Sequence, residues 1–484
     1  MPDTKVINPP KRGLPPGNVS IAAVGDIIIT VDFLEQMGTD RDCRQLQELL
    51  HTADLVVGNY EGSIIDMNSF QGYPAALSGF GWLITNPDAV RGLRALNLRM
   101  LSRANNHATD WGRDGMEMTN QYLRNAGFAI SGTGSSRLSS REPAQVPSDI
   151  VELGGRAIAM TSWTTEVVTD STASNPLGVI RARPGVSTLR RRTFVRAGPE
   201  AYNVVKELAE ALGIANPLEF QIDGVPVINI LGNLVEIDPN LSPPWAIIPT
   251  GEFDEHDYRE LTTSISSWSH FTDFLIGSQH HHGLYNNTTH VDEYSREFAR
   301  EVVDRGVRLL FGHGPHRLRG VEVHNGAPIF HSLGNFFYTN NTQEYVTPDE
   351  WERYIWRVLN RHLPEDQRIV LDPKVTSDAD FLDWIRLRIF WSEQNFRSVV
   401  AFSDYQDGAL TGVRFYPIEL FFDRPENPRQ WRGIPRLTNE VVGTEILDFL
   451  NEACKQVGTS VEIEIYDEPT GRQRRAMGHL KWTE

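Results

Sequence analysis

Asp26, Asn59, Glu61, Asn106, His107, His280, His282, His313 and His316 each stand at or just beyond the C-terminal end of a short apolar run. Carboxylate, amide oxygen and imidazole together are the donor set of a hard-to-borderline divalent ion such as Mn²⁺, Mg²⁺, Fe²⁺ or Zn²⁺. Taken singly, each has an ordinary explanation. An aspartate after a strand can cap a turn, and an isolated histidine more often packs or faces solvent than binds an ion. Five polar motifs at successive strand ends point instead to one centre of one or two ions. Within it the histidines leave choices open. Side chains alternate faces along a strand, so His280 and His282 can point into a site together while His281 points away, with His280 the first choice. In Gly312-His313-Gly314-Pro315-His316, either His313 or His316 can supply the ligand.

The elements that must carry these residues follow a strand, loop, helix rhythm. Strands are expected at 21–24, 54–57, 98–101 and 128–130, with helices at 42–51, 87–95 and 115–125 between them. The rhythm resumes with strands at 274–276, 307–311 and 327–331 and a helix over 292–305. Such βαβ repeats build a mostly parallel sheet, whose ligands sit at the C-terminal ends of the strands. Segments 151–153 and 157–161 around Gly154-Gly155 read as a β-hairpin. Two stretches break the pattern and read as insertions, about 162–267 (a helix near 200–212, a strand run at 225–235) and the Trp-rich 340–395. Residues 398–422 read as an antiparallel pair, 1–19 as a flexible lead-in to a main domain over 20–455, and 456–484 as a tail segment packing on it.

Composition narrows the function classes. Of 484 residues, 46 are Lys or Arg and 63 Asp or Glu, a net charge of −17 that argues against nucleic acid or an anionic membrane as the main partner. Hydrophobic residues make up 40%, enough for a large core. The two cysteines, Cys43 and Cys454, support neither a disulfide framework nor a Cys-rich zinc module. With no signal peptide or 18-residue apolar run in view, a cytoplasmic protein without a membrane segment is expected; the sequence is silent on oligomeric state. Arg190-Arg191-Arg192 reads as a solvated charged face, and Trp351, Trp356, Trp384 and Trp391 as insertion core. Arg103 is placed to reach a carboxylate or phosphate in the site, with packing as the equal alternative.

The order of the motifs resembles the metallophosphoesterase (calcineurin-like) superfamily, and within it the branch named for the poly-γ-glutamate capsule synthesis protein CapA. The resemblance rests on Val24-Gly25-Asp26, Asn59-Tyr60-Glu61, Asn105-Asn106-His107 with Asp110-Trp111-Gly112, Gly132-Thr133-Gly134, Ser278-Gln279-His280, Gly312-His313-Gly314-Pro315-His316 and Ser332-Leu333-Gly334-Asn335-Phe336. It covers about 20–140 and 270–455. It implies an α/β fold, a four-layer αββα sandwich with the two insertions, and a metal site at the strand ends. It further implies Asp26, Glu61, Asn106, His280 and His313 or His316 as ligands, with Glu61 bridging two ions. His107 would be the non-ligating acid and Asp110 the residue that orients it. One departure is plain: the superfamily's Asp-x-His has Ile28 where its histidine belongs.

The function this implies is a metal-dependent enzyme acting on a peptide-like or poly-γ-glutamate-type amide, by hydrolysis or acyl transfer with metal-activated water. Phosphoester hydrolysis uses the same parts. Peptide epimerisation by Cα proton abstraction and a non-catalytic role as a polymer accessory protein are the alternatives.

Overall fold

The computed structural model describes residues 14, 17–79, 81–145, 156–168, 170–213, 220–222, 225–230, 232–284, 286, 288–340, 343, 345–352, 364–368, 372–378, 380–382, 392–421, 431–468 and 471–483. Strands β1 (Asn18–Ile28), β2 (Leu55–Tyr60), β3 (Leu98–Ser102) and β4 (Ala129–Ser131) lie side by side and parallel. β2 is buried along its whole length, as a strand covered on both faces must be. Helices Arg41–Leu50, Ala89–Ala95 and Gly112–Asn125 make the crossovers. The first of them starts where Asp40 accepts a hydrogen bond from the Cys43 N–H, an N-cap that satisfies an otherwise orphaned donor.

A second sheet holds β5 (Ile158–Thr164), β6 (Phe274–His280), β7 (Val307–His313) and β8 (Ala327–Phe330), again parallel and in that order. Of the hairpin expected at 151–161, 151–153 lies outside the described residues; β5 pairs in parallel with β6 from Ile158 to Thr164 and, on its other edge, antiparallel with Ala144 and Gln145 at Met160 and Ala159. All seven residues of β5 are buried, as a strand covered on both faces must be. The chain then returns to the first sheet through β9 (Asn335–Tyr338), parallel to the end of β1. β10 (Arg397–Gln406) and β11 (Ala409–Glu419) form the antiparallel pair. The hairpin of β12 (Ser460–Asp467) and β13 (Arg474–Lys481) extends that sheet through Arg414 and Phe415.

Three hydrophobic clusters hold these layers. Ile21, Val57 and Met100 of the first sheet meet Met160, Ile276, Leu309 and Phe311 of the second in one cluster. Val24, Val56 and Leu98 pack on the other face of the first sheet against Leu46, Leu50 and Leu93. Leu275 and Leu310 of the second sheet pack against Leu261 and Ile265 of helix Glu255–Trp268 and Phe298 and Val302 of helix Glu293–Asp304. The protein is a mixed α/β fold with its core between and outside two sheets. Among the described residues, no helix is long and apolar enough to cross a membrane.

The stretch read as the first insertion contains a separate five-stranded sheet spanning Phe220–Ile222, Val225–Ile230, Asn233–Ile237, Arg191–Ala197 and Ile247–Phe253. Helix Pro199–Ala211 covers it, with Ala201, Tyr202, Ile228 and Val235 as a small core of their own. Arg190, Arg191 and Arg192 are not a free solvated face. They pair with Asp254 and Asp257, with Glu166, and with Glu236 and Glu252 respectively. Acidic partners distant in sequence, supplied by the fold, account for the difference. Trp351 stacks on Phe381 at 3.7 Å; Trp356, Trp384 and Trp391 lie outside the described residues.

β1 and the Leu333–Gly334 turn approach so closely that a Cβ on Gly25 would stand 1.9 Å from the Gly334 carbonyl oxygen. The same turn accepts the Asp26 N–H at 2.9 Å. Gly25→Ala is expected to cost about 3 kcal/mol or more, since backbone cannot yield as a side chain does. A urea melt with a lowered midpoint and unchanged slope checks it.

Candidate metal centre

Asp26 ends the straight part of β1 and is fully buried. Its two oxygens face two different sets of groups. Oδ1 lies 3.9 Å from His280 Nδ1 and 3.6 Å from His313 Nδ1, and it accepts from Asn59 Nδ2 at 2.8 Å. Oδ2 lies 3.2 Å from His316 Nδ1 and accepts the Gly314 N–H at 3.0 Å. Two groups that could hold a cation result, Asp26–His280–His313 and Asp26–Glu61–His316. Asp26 is common to both groups, and Glu61, a member of the second, also brings Oε1 to 3.7 Å from His280 Nε2.

β6 and β7 run parallel in register, His280 opposite His313, which brings their Nδ1 atoms to 2.9 Å. His316 takes a left-handed backbone, φ 55°, and turns its ring back beside Asn335 Oδ1 at 2.9 Å. Both His313 and His316 therefore reach the site. His282 belongs to neither group; its Nε2 lies 3.1 Å from His280 Nε2. His281 points elsewhere, to Thr165 and Asp292.

The Asn105-Asn106-His107 turn follows β3. Asn105 holds the floor by donating to Asn59 Oδ1 and the Tyr60 carbonyl. Asn106 donates through Nδ2 to the Gly79 carbonyl at 2.7 Å, and its buried Oδ1 has no hydrogen-bond partner. His107 Nδ1 meets Asp110 Oδ2 at 2.7 Å, and its Nε2 stands 3.9 Å from Glu61 Oε1. Asp110 also accepts the N–H groups of Gly79 and Leu83 at 3.0 Å, which tie it to the 79–83 loop. Arg103 does not enter the site. It is buried, donating to the carbonyls of Tyr60 and Gly62 at 2.9 and 2.7 Å, and burial pulls it down to about 10. Its packing alternative is the one the contacts favour.

The donor chemistry fits a cation. Burial pulls His280 well below the usual imidazole range and His313 and His282 down to about 4, so their rings are neutral near pH 7 and have lone pairs to offer. Burial alone would raise Asp26, but the hydrogen bond and charge of His316 outweigh that and hold it low. Burial, then the charge of Asp26, pushes Glu61 well above the usual carboxylate range, and its buried Oε1 has no hydrogen-bond partner. Orphaned buried oxygens on Glu61 and Asn106 are what a bound divalent ion would satisfy.

A proton therefore competes with the ion for Glu61. Metal binding is expected to release that proton, and affinity to rise with pH above the ordinary glutamate value of about 4.3. Calorimetric titration with Mn²⁺ in buffers of different ionisation enthalpy reads the release, which Glu61→Gln should reduce.

Above these residues opens a cleft of about 420 Å³. Asn106, His107, His282 and His316 form its floor; Gly79, Leu83, Tyr338, Glu166 and Val168 stand around it, with Asn340, Gln343 and Glu350 farther along the chain. Ser278, whose hydroxyl meets His313 Nε2 at 2.7 Å, and Asn335, beside His316, stood in the motifs without an assigned role, and Glu166 was not named from the sequence. Glu166 lies just past the end of β5, so the strand-end rule that found Asp26 and His280 would have found it had β5 been read as part of a parallel sheet.

The chain matches the family described as "Bacterial capsule synthesis protein PGA_cap" over residues 20–340, and it belongs to that family. Two proteins of Sinorhizobium fredii (strain NBRC 101917 / NGR234), named Uncharacterized protein y4sH and Uncharacterized protein y4uA, are each 29% identical to it over 450 residues, 92% of this chain and 91% of theirs. PGA biosynthesis protein CapA of Bacillus subtilis (strain 168) is 23% identical over 323 residues, 66% of this chain and 63% of that relative.

Proposed function

We propose that this protein is a metal-dependent hydrolase or acyl-transfer enzyme acting on a peptide-like amide of the poly-γ-glutamate type. The observation that carries the reading is the pair of ligand groups sharing Asp26, with the His107–Asp110 pair beside Glu61 on the floor of one cleft. Asp26, His280 and His313 would hold one ion and Asp26, Glu61, His316 and Asn106 a second; the histidine missing at Ile28 is not needed for either set. A bound divalent ion supplies Lewis-acid activation of oxygen. The protein's own contribution is positional and protonic. Asp110 fixes the His107 ring, and His107 delivers a proton to a departing nitrogen in the cleft. Walls from both insertions, Glu166 to Val168 and the pair Gln343 and Glu350, would choose the substrate. The name of the Bacillus subtilis relative supports the amide class over a phosphoester.

The three clusters that pack two sheets between helices support the four-layer αββα metallophosphoesterase arrangement. In that reading one domain over 20–455 carries the small sheet between Arg191 and Phe253 as an insertion. The deciding experiment is elemental analysis of chelator-free protein beside a His280→Ala/His313→Ala variant, followed by turnover assays on a γ-glutamyl anilide and a nitrophenyl phosphodiester. Metal lost in the variant and cleavage of the anilide are expected. Metal-free wild type, or cleavage of the phosphodiester alone, would overturn the reading.

A further inference from the structure

His282 reaches the site without joining either ligand group, and the surrounding chain fixes it from both sides. Glu166 Oε1 accepts the His282 N–H at 3.1 Å, and Glu166 is itself held by Arg191 of the small sheet at 3.0 Å. Arg319, buried, donates to the His282 carbonyl at 2.7 Å. On its neighbours, His281 is tied to Thr165 and Asp292, and the Leu284 N–H to Asp292. A Cβ at Gly283 would stand 2.5 Å from Asp292 Oδ2, so the turn is packed tight. Such a scaffold of buried (Arg319, Asp292) and half-buried (Glu166, Arg191) charges is what places one ring to within a hydrogen-bond length.

The two imidazoles of the Asp26–His280–His313 group are treated alike at their far nitrogens. Each turns Nδ1 toward Asp26 Oδ1. At the other end, His313 Nε2 meets Ser278 Oγ at 2.7 Å and His280 Nε2 meets His282 Nε2 at 3.1 Å, the one partner it has at hydrogen-bond length among the described residues, with Glu61 Oε1 farther off at 3.7 Å. A neutral imidazole has one N–H and one lone pair. If both Nδ1 lone pairs are to face a cation, both Nε2 atoms carry hydrogen, and each needs an acceptor. Ser278 accepts for His313. The equivalent acceptor for His280 is His282.

We propose that His282 is a positioning residue and not a ligand: it accepts the Nε2–H of His280, fixing that ring's tautomer and aim, and through Glu166 and Arg191 the inserted sheet sets its place. The assignment rests on the metal centre proposed above. It departs from the expectation that His282 binds the ion.

The test reads metal binding on the full chain with Co²⁺ as the probe. Wild type, His280→Ala, His282→Ala, His282→Gln and Ser278→Ala are saturated, and ion content, chelator-competition affinity and the visible spectrum are recorded. His282→Ala and Ser278→Ala should keep wild-type content and spectrum while binding about 10–100-fold more weakly, the range for an outer partner of a ligand. His282→Gln, whose amide oxygen can accept the same hydrogen bond, should recover most of the affinity. Loss of an equivalent with a changed spectrum, as in His280→Ala, would make His282 a ligand and overturn the assignment; so would wild-type affinity in His282→Ala. If His282→Ala does not fold, His282→Gln decides the question, content kept supporting the assignment and content lost overturning it. Wild type that takes up no ion would overturn the centre itself, a failure distinct from that of His282 alone.

Discussion

His107→Ala is expected to lower turnover by about 10²–10⁴-fold, the range for a positioned general acid, while leaving the ion content at the wild-type level. The geometry separates the two effects. His107 stands in neither ligand group, and its Nδ1 is committed to Asp110 at 2.7 Å. Its Nε2 faces Glu61 across 3.9 Å, open to the cleft rather than closed on a donor pair. Asp110→Asn should fall in the same direction by a smaller factor. An amide can still accept through its oxygen, but it no longer selects the tautomer or steadies a charged ring, and one of the N–H groups of Gly79 and Leu83 loses its charged acceptor. The measurement is steady-state cleavage of whichever substrate the wild type turns over, beside metal analysis of the same samples. Full activity in His107→Ala would remove the proton-transfer role. Lost metal in that variant would move His107 into the ligand set.

What the sequence disclosed and what it hid divide along a physical line. Asp26, Glu61, Asn106, His280, His313 and His316 were visible because each follows an apolar run, and a parallel sheet must bring such ends together. The Asn-Asn-His turn and the Gly-His-Gly-Pro-His loop carried the family resemblance for the same reason. Hidden was everything decided by which strand neighbours which. That Asp26 faces both candidate groups follows from β1 lying between β2 and β9, a placement that brings Asn335 beside Asp26 across 309 positions of sequence. No local pattern contains that. Arg191 looked like part of a charge run because Glu166 is remote from it in sequence, and Arg103 looked aimed at the site because the carbonyls it holds belong to β2 and the turn after it. Glu166 went unnamed because a strand taken for half of a hairpin gives no reason to look for a cleft residue at its end.

Asp26→Asn is the substitution from which the centre should not recover. Ion binding stabilises a folded chain by about 2.7 kcal/mol at a concentration one hundred times Kd, so a thermal melt with and without Mn²⁺ or Zn²⁺ reads the centre directly. In Asp26→Asn the shift on adding metal is expected to vanish, and content to fall to near zero, because both groups lose their shared anion at once. The remaining neutral rings of His280 and His313 cannot alone offset a doubly charged ion in a site this dry. His280→Ala should behave differently. It empties the Asp26–His280–His313 set and leaves Asp26, Glu61 and His316 in place, so part of the metal-dependent shift and part of the content should survive. The metal-free melts serve as the control. The amide introduced by Asp26→Asn keeps the side-chain shape, and one of the N–H donors from Asn59 and Gly314 still finds its oxygen, so the fold should lose only about 1–3 kcal/mol. A graded result, nothing left in Asp26→Asn and a remainder in His280→Ala, would establish two ions joined through β1. Equal loss in both would reduce the centre to a single ion, with Glu61 and His316 left to position its surroundings.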